Sequence, residues 1–344
     1  MQNTTLEAGG GSSQYAQVQG IRGVPNVGWG FNTPSPDLEA SYEPGDPRLQ
    51  TTILYPWEML PDDPTRVVYL NPSMPNNRYS QKVYTSPETT GGSSNSTINI
   101  RRIRYADVLL MAAEAAFRTG RESEARAWLN QVRERARDGH ENTVGVFAET
   151  LAQTIATDVL ERPAGSSRVF VRYADPESDG FAAGFRSFVG ECEASCGSAA
   201  VPPVRVASID IINSVNAVSV TAVEEFHDAI DAVPAGSPVT LAGVRIEQGT
   251  DGSSTSTAFV RIVQAEPLLP DVTASGETLL SAIWAERRSE LAMEQHRWFD
   301  IIRQGRAAEL MTAVGKDFVV GTHELYPLPA AEVSIAGLPQ NPGY

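Results

Sequence analysis

Residues 279–305 read LLSAIWAERRSELAMEQHRWFDIIRQG, with four acids and four arginines threaded through apolar residues at helical spacing. Leu279, Leu280, Ile283, Trp284, Arg287 and Leu291 follow an i, i+3, i+4 pattern, which predicts a helix packed along one face. Glu286, Glu290 and Glu294 stand four apart and would share a face, with Arg287 three residues before Glu290. Arg297, Asp300 and Arg303 repeat a three-residue spacing on the next helical stretch. Such a set is either an ion-paired joint or a catalytic cluster. Paired carboxylates do acid–base chemistry when their environments push their pKa values apart. Here arginine is as abundant as carboxylate, which favours keeping the acids charged. The residue types therefore predict a structural ion-pair network of Glu286, Arg287, Glu290, Glu294, Arg297, Asp300 and Arg303.

The spacing E-R-R-x-E-L-A-x-E-x-H-R-W-F-D-I-I-R-x-G, from Glu286 to Gly305, resembles a signature near the C-terminus of the SusD/RagB family. That family comprises surface lipoproteins that capture nutrients for TonB-dependent outer-membrane transporters. Gln295 departs from the pattern, which has glycine there. The closing Leu325-Tyr326-Pro327-Leu328-Pro329 and Gln340-Asn341-Pro342-Gly343-Tyr344 resemble the family's terminal segment. Gly28-Trp29-Gly30-Phe31, Pro34 to Leu38 and Asp46-Pro47-Arg48 match its middle region in the same order. The resemblance implies a SusC-like TonB-dependent transporter as partner, an oligosaccharide or peptide as ligand, and a surface-exposed place on the outer membrane. It also implies a lipoprotein signal and a longer N-terminal half. The opening MQNTTLEAGGGSSQ has neither a basic nor an apolar leader region. The expectation is a truncated chain, or a second half on another polypeptide.

Composition narrows the classes. The 344 residues suffice for a substantial core and suggest two domains. A net charge of −15 argues against a nucleic-acid partner, because phosphate binding needs a basic footprint. No run approaches the length of an apolar membrane span. The two cysteines, Cys192 and Cys196, lie in GECEASCGS. The pair is read as a disulfide or as free thiols, because a metal would need further ligands nearby. No metal site and no cofactor are expected.

Residues 1–100 are rich in Pro, Gly, Asn, Ser and Thr and predict loops with short extended pieces. Trp29, Phe31, Tyr55, Trp57, Tyr69, Tyr79 and Tyr84 all fall there. An aromatic on a loop is either a packing peg or a flat face for a ligand. Trp29, Trp57 and the cluster Asn77, Arg78 and Tyr79 combine apolar faces with polar donors, the mixture a neutral polar ligand requires. Residues 101–137 predict a helix pair. Ile103, Val108, Leu109, Ala112, Ala116 and Phe117 make one stripe. Gly120 makes the stop. Ala125, Trp128, Leu129, Val132 and Ala136 make the second stripe. The pair resembles one tetratricopeptide unit, which needs neighbours to bury its face.

Between 140 and 270 the texture changes to strands and turns. Ser208 to Asn216, Val220 to Ile230, Gly236 to Leu241 and Ala258 to Val263 give strand, turn, helix and two strands. That order resembles a PDZ domain of the HtrA type. The resemblance would make Val144, Gly145 and Val146 a loop that binds a peptide carboxylate. It would make Val169 to Val171 the next strand and Asp175 to Phe185 a turn. A ligand would pair with the strand after Gly145. Two departures stand out: a Cys-bearing stretch between Phe185 and Ile209, and Asn216-Ala217 where the pattern has Asn-Gly. Replacing that glycine is unfavourable if the turn needs positive φ.

The expected fold is α+β. A tetratricopeptide-like helical core, 101–139 and 271–344, carries a loop-rich region, 1–100, and is interrupted by a β-rich PDZ-like insertion, 140–270. Three functions compete: a non-catalytic nutrient-binding component, a protease-associated or chaperone-like PDZ protein, and a helical-repeat scaffold. The serines lack a Gly-x-Ser-x-Gly nucleophile motif, and His140, His227, His296 and His323 stand in no recognisable triad. The C-terminal motifs favour the non-catalytic binder.

Overall fold

The computed structural model describes residues 4–7, 10–13, 15–23, 25–69, 71, 73, 74, 76, 78–84, 101–152, 160, 169–176, 178–192 and 204–344. Asn77 and Cys196, and the side chain of Cys192, lie outside the described residues. The chain divides into two compact units, Met1–Glu290 and Leu291–Tyr344.

In the first unit, the loop-rich region contributes short elements: α1 (Pro36–Glu39), α2 (Arg48–Thr52), and the antiparallel strands β1 (Ile53–Leu54) and β2 (Tyr79–Ser80). Ser35 caps α1 by accepting from Leu38 N–H, and Pro36 at the first position has the fixed φ that a helix start needs. Helices α3 (Tyr105–Arg118) and α4 (Glu122–Ala136) form the expected hairpin. Gly120, at φ +77°, ends α3 while Arg121 N–H reaches back to Ala116 O at 2.8 Å.

The buried stripe of α3 is Leu109, Leu110, Ala113 and Ala116, while Ile103 and Val108 are exposed. The true stripe is therefore rotated about one residue from the predicted one. What turns it is the packing partner: Leu279 and Ile283 join the same core with Ala125, Leu129 and Val132 of α4.

The stretch between the helices is organised by one antiparallel sheet. A short strand β3 (Asn142–Thr143) precedes β4 (Phe147–Thr150), β5 (Val169–Tyr173), the turn helix α5 (Asp179–Ala182) and β6 (Val189–Cys192). Then come β7 (Val204–Val215), β8 (Val218–Ser219), α6 (Val223–Asp231), β9 (Pro238–Gln248), β10 (Ser254–Gln264) and β11 (Glu266–Pro267). The sheet order is β10-β9-β7-β5-β4, with β6 and β8 also paired to β7. Entry and exit are zipped together, because β3 pairs with β11 in the register Asn142↔Pro267 and Thr143↔Glu266.

Period-2 alternation gives this sheet two apolar faces. One face packs Val169, Val171, Ile212, Val215 and Val239 against Phe226 and Ile230 of α6. The other packs Phe170, Val206, Ile209 and Ile211 against Trp57 and Val67 of the loop-rich region. Asp210, buried in β7, accepts from Arg245 at 2.6 Å, Arg261 at 2.9 Å and Arg186 N–H at 3.0 Å, which ties the sheet's centre to its neighbours. Helix α7 (Gly276–Glu290) completes the first unit.

The second unit holds α8 (Arg297–Arg303), α9 (Ala307–Ala313) and α10 (Ala330–Ala336). Its two closing motifs meet in space. Gln340 accepts from Leu328 N–H at 2.7 Å and donates to Leu328 O at 2.8 Å, and Tyr344 OH donates to Leu325 O at 3.0 Å. Among the described residues no helix is long and apolar enough to cross a membrane.

Candidate functional site

Helix α7 delivers Glu286 and Glu290 into a buried cluster. Glu286 accepts from Arg48 through Oε1 and from Arg133 through Oε2 at 2.9 Å. Glu290 meets Arg104 at 3.0 Å, Arg48 at 3.3 Å and Arg135 at 2.5 Å. Asp46 and Glu43 supply the remaining counter-charges, at 2.7 Å from Arg48 and Arg133 respectively. Burial works against the charge on Arg48, but Glu286 and Asp46 outweigh it and hold the guanidinium more firmly protonated than in water. Arg287 pairs separately with Asp107 of α3 at 2.8 Å. Each carboxylate oxygen of Glu286 and Glu290 is thus engaged by a guanidinium, which suits fixing helices and leaves neither acid aimed at a substrate.

Glu294 lies beyond the helix that carries Glu286 and Glu290. Helix α7 ends at Glu290, and the chain turns through left-handed backbone at Met293 (φ +62°) and Gln295 (φ +70°). Gln295 stands where the resemblance expects glycine, and its φ is the reason. Asp300 and Arg303 pair at 2.7 Å within the second unit, to which Glu294 and Arg297 also belong.

The predicted aromatic ligand residues are divided by the structure. Trp57 is 1% exposed, edge-on to Tyr69 at 6.1 Å and Phe188 at 5.9 Å. Its face is spent on the sheet of β5 and β7, so the expectation that it meets a ligand is corrected: that apolar face of the sheet had no partner visible in the sequence. Tyr79 is likewise buried, donating to Arg22 O at 3.0 Å, and burial pushes its hydroxyl up to about 12. Arg78 is held by Glu39 at 2.6 Å. Trp29, by contrast, is 42% exposed and stands beside Phe31, 58% exposed. Backbone bonds from Trp29 to Gln17 O, Gly30 to Gly20 O and Phe31 to Val18 O, all 2.9 Å, fix this Trp-Gly-Phe strip. Phe31 joins Trp29 at an i, i+2 spacing that is legible in the sequence.

The loop of Val144, Gly145 and Val146 is buried, and Gly145 N–H already gives its hydrogen bond to Thr143 Oγ1 at 3.2 Å. The expected open carboxylate-binding loop is therefore corrected to a covered one. Close by, His140 Nδ1 lies 2.8 Å from Asp231 and stacks on His227 at 4.8 Å. Burial, aided by His140, brings His227 down to about 4. Among the described residues no cluster of His, Cys, Asp or Glu is placed to hold a metal ion.

Comparison with known proteins follows the same division. No curated protein matches the chain. Among solved structures, the chain is similar to surface glycan-binding protein A from Bacteroides uniformis at 26% identity and a TM-score of 0.31. That match covers 36% of this chain and 28% of the other. The model of the SusD family matches residues 7–145 and 245–344, which include the whole ion-paired cluster and, within the strand-rich stretch, β3, β10 and β11. The match spans well over half of the sequence, and the chain belongs to the SusD family.

Proposed function

We propose that this chain is a non-catalytic nutrient binder of a SusC-like, TonB-dependent uptake system at the outer membrane, taking an oligosaccharide or a peptide. The family match carries the reading, since it includes the Glu286–Glu290 joint and the aromatic strip at Trp29. The chemistry agrees: the acids of the joint are consumed by arginines, while Trp29 and Phe31 offer flat apolar faces to solvent. The stretch 140–270 is proposed as a PDZ-like module for peptide or partner recognition. Its strand–helix–strand order and the position of α6 beside β4 support that reading.

A glycan array and a peptide pool presented to the purified chain test the proposal. Binding without turnover is expected, with Trp29→Ala weakening glycan retention. Hydrolysis of either ligand class, abolished by Glu286→Gln in a variant that remains folded, would overturn the non-catalytic reading.

A further inference from the structure

Asp210 is one carboxylate with more cations around it than it needs. Its side chain in β7 is 0% exposed. It accepts from Arg245 Nε at 2.7 Å, Arg245 Nη2 at 2.6 Å, Arg261 Nη1 at 2.9 Å and the backbone N–H of Arg186 at 3.0 Å. One arginine bound through two nitrogens already satisfies a buried carboxylate. The second guanidinium brings repulsion between like charges. A third belongs to exposed Arg186, which donates through Nη1 to Phe181 O at 3.0 Å and to Phe185 O at 2.6 Å. Glu247, two residues beyond Arg245 on β9, also acts on Arg245. With it counted, three guanidiniums stand against two carboxylates, in a chain whose net charge is −15.

The guanidiniums are held by their faces. Arg186 lies 4.0 Å over the ring of Phe181, and Arg261 lies 4.0 Å over Phe259 and 4.4 Å over Phe185. Stacking fixes each plane and leaves its edge for hydrogen bonds. Among the described residues, Nε and Nη2 of Arg261, Nη1 of Arg245, and Nε and Nη2 of Arg186 have no hydrogen-bond partner. The side chains of Arg245 and Arg261 stay open to solvent at 23% and 12%. Fixed planes with free edges are pre-organised for an oxyanion and lose little side-chain freedom on binding one.

The surface beside them is hydroxylic. Asp210, Arg245 and Thr257 make one cross-strand row through β7, β9 and β10. By period-2 alternation Thr255 and Thr257 share the face of Arg261. Ser254, Thr255, Ser256 and Thr257 are all exposed. A run of hydroxyls suits the hydroxyls of a sugar and offers little to the apolar side chains of a peptide.

We propose that Arg186, Arg245 and Arg261 form an oxyanion subsite for an acidic oligosaccharide, one that carries uronate carboxylates or sulfate esters. This rests on the nutrient-binding reading and narrows its ligand class.

The test is calorimetric titration of the full chain at low salt with three oligomers of equal length: galacturonate, sulfated galactan and neutral galactan. Wild type should bind an acidic oligomer about tenfold more tightly than the neutral one, and the oligomer preferred identifies the anion. Arg186→Ala and Arg261→Gln should each weaken that binding about tenfold, as loss of charge-assisted hydrogen bonds predicts, and should reduce its salt dependence. Arg261→Gln leaves Arg245 on Asp210, and Arg186→Ala changes an exposed side chain, so thermal unfolding of the second variant should match wild type. Acidic binding that is equal in wild type and both variants, or no tighter than neutral binding, would overturn the subsite, as would absence of binding to both acidic oligomers. Neutral binding that persists in the arginine variants and is lost in Trp29→Ala would, in that event, leave the nutrient-binding reading standing.

Discussion

Two buried charge clusters in the first unit differ in their balance. Around α7, the acids Glu286, Glu290, Asp46 and Glu43 are met by Arg48, Arg104, Arg133 and Arg135, one guanidinium for each carboxylate. Where β4 and β5 meet the segment after β1, Glu149 and Glu58 lie 2.9 and 3.7 Å from a single guanidinium, Arg172. Burial, followed by the charge of Glu149, pushes the Glu58 carboxyl well above the usual carboxylate range, against the pull of Arg172. Aromatic rings of Tyr55, Phe170 and Phe188 pack around that one cation, at 4.6 to 5.3 Å from its centre. Both clusters have a buried centre, with Glu43 and Arg135 of the first reaching solvent. At Arg172 two acids share one cation, and its pull on Glu58 does not offset burial.

The largest effect is expected at the balanced cluster. Glu286→Gln leaves Arg48 and Arg133 short of a charge in a buried setting and should cost about 3–5 kcal/mol, read from the shift in denaturant midpoint. A loss near zero would mean that the joint does not hold the helices.

Glu58→Gln should behave in the opposite way. Its folded pKa lies above the unfolded 4.5, so the stabilisation is fully present below about 4.5 and is lost as pH rises through the folded value. Wild-type stability should therefore decline toward alkaline pH more steeply than that of Glu58→Gln. Parallel pH profiles for the two proteins would erase the contrast between the clusters.

The smallest effects concern backbone. Ala217, at φ +66°, completes the two-residue turn between β7 and β8, and Gln295, at φ +70°, follows the end of α7. Both positions favour glycine. Ala217→Gly and Gln295→Gly should each raise stability by about 0.5–1 kcal/mol, measured by thermal unfolding, because relief of left-handed strain exceeds the added chain entropy. A fall in either would show that neighbouring packing, rather than φ, sets the choice of residue there.

The helical frame was legible because its signals are local. Gly120 marked a stop, the acids and arginines of α7 stood at helical spacing, and Asn216-Ala217 stood at a two-residue turn. Exposure was harder to read. Trp57 and Trp29 both sit among prolines and glycines, yet one is a core peg and the other faces solvent. The difference comes from the sheet face that packs on Trp57, which lies more than a hundred residues upstream of β7. The rotation of the α3 stripe has the same origin, since Leu279 and Ile283 of α7 select which side of α3 is buried. The partners of Glu286, from Arg48 to Arg133, were likewise invisible to spacing, which reports neighbours on one helix only.

The pairing of β3 with β11 has a consequence for how such a chain can be assembled and altered. With Asn142 and Pro267 as register partners, the two ends of the strand-rich stretch are held side by side. Closure entropy grows only with the logarithm of loop length, about 0.6 kcal/mol per doubling. A change of length between the clasped ends therefore costs little in closure entropy as long as the pairing of β3 with β11 is kept.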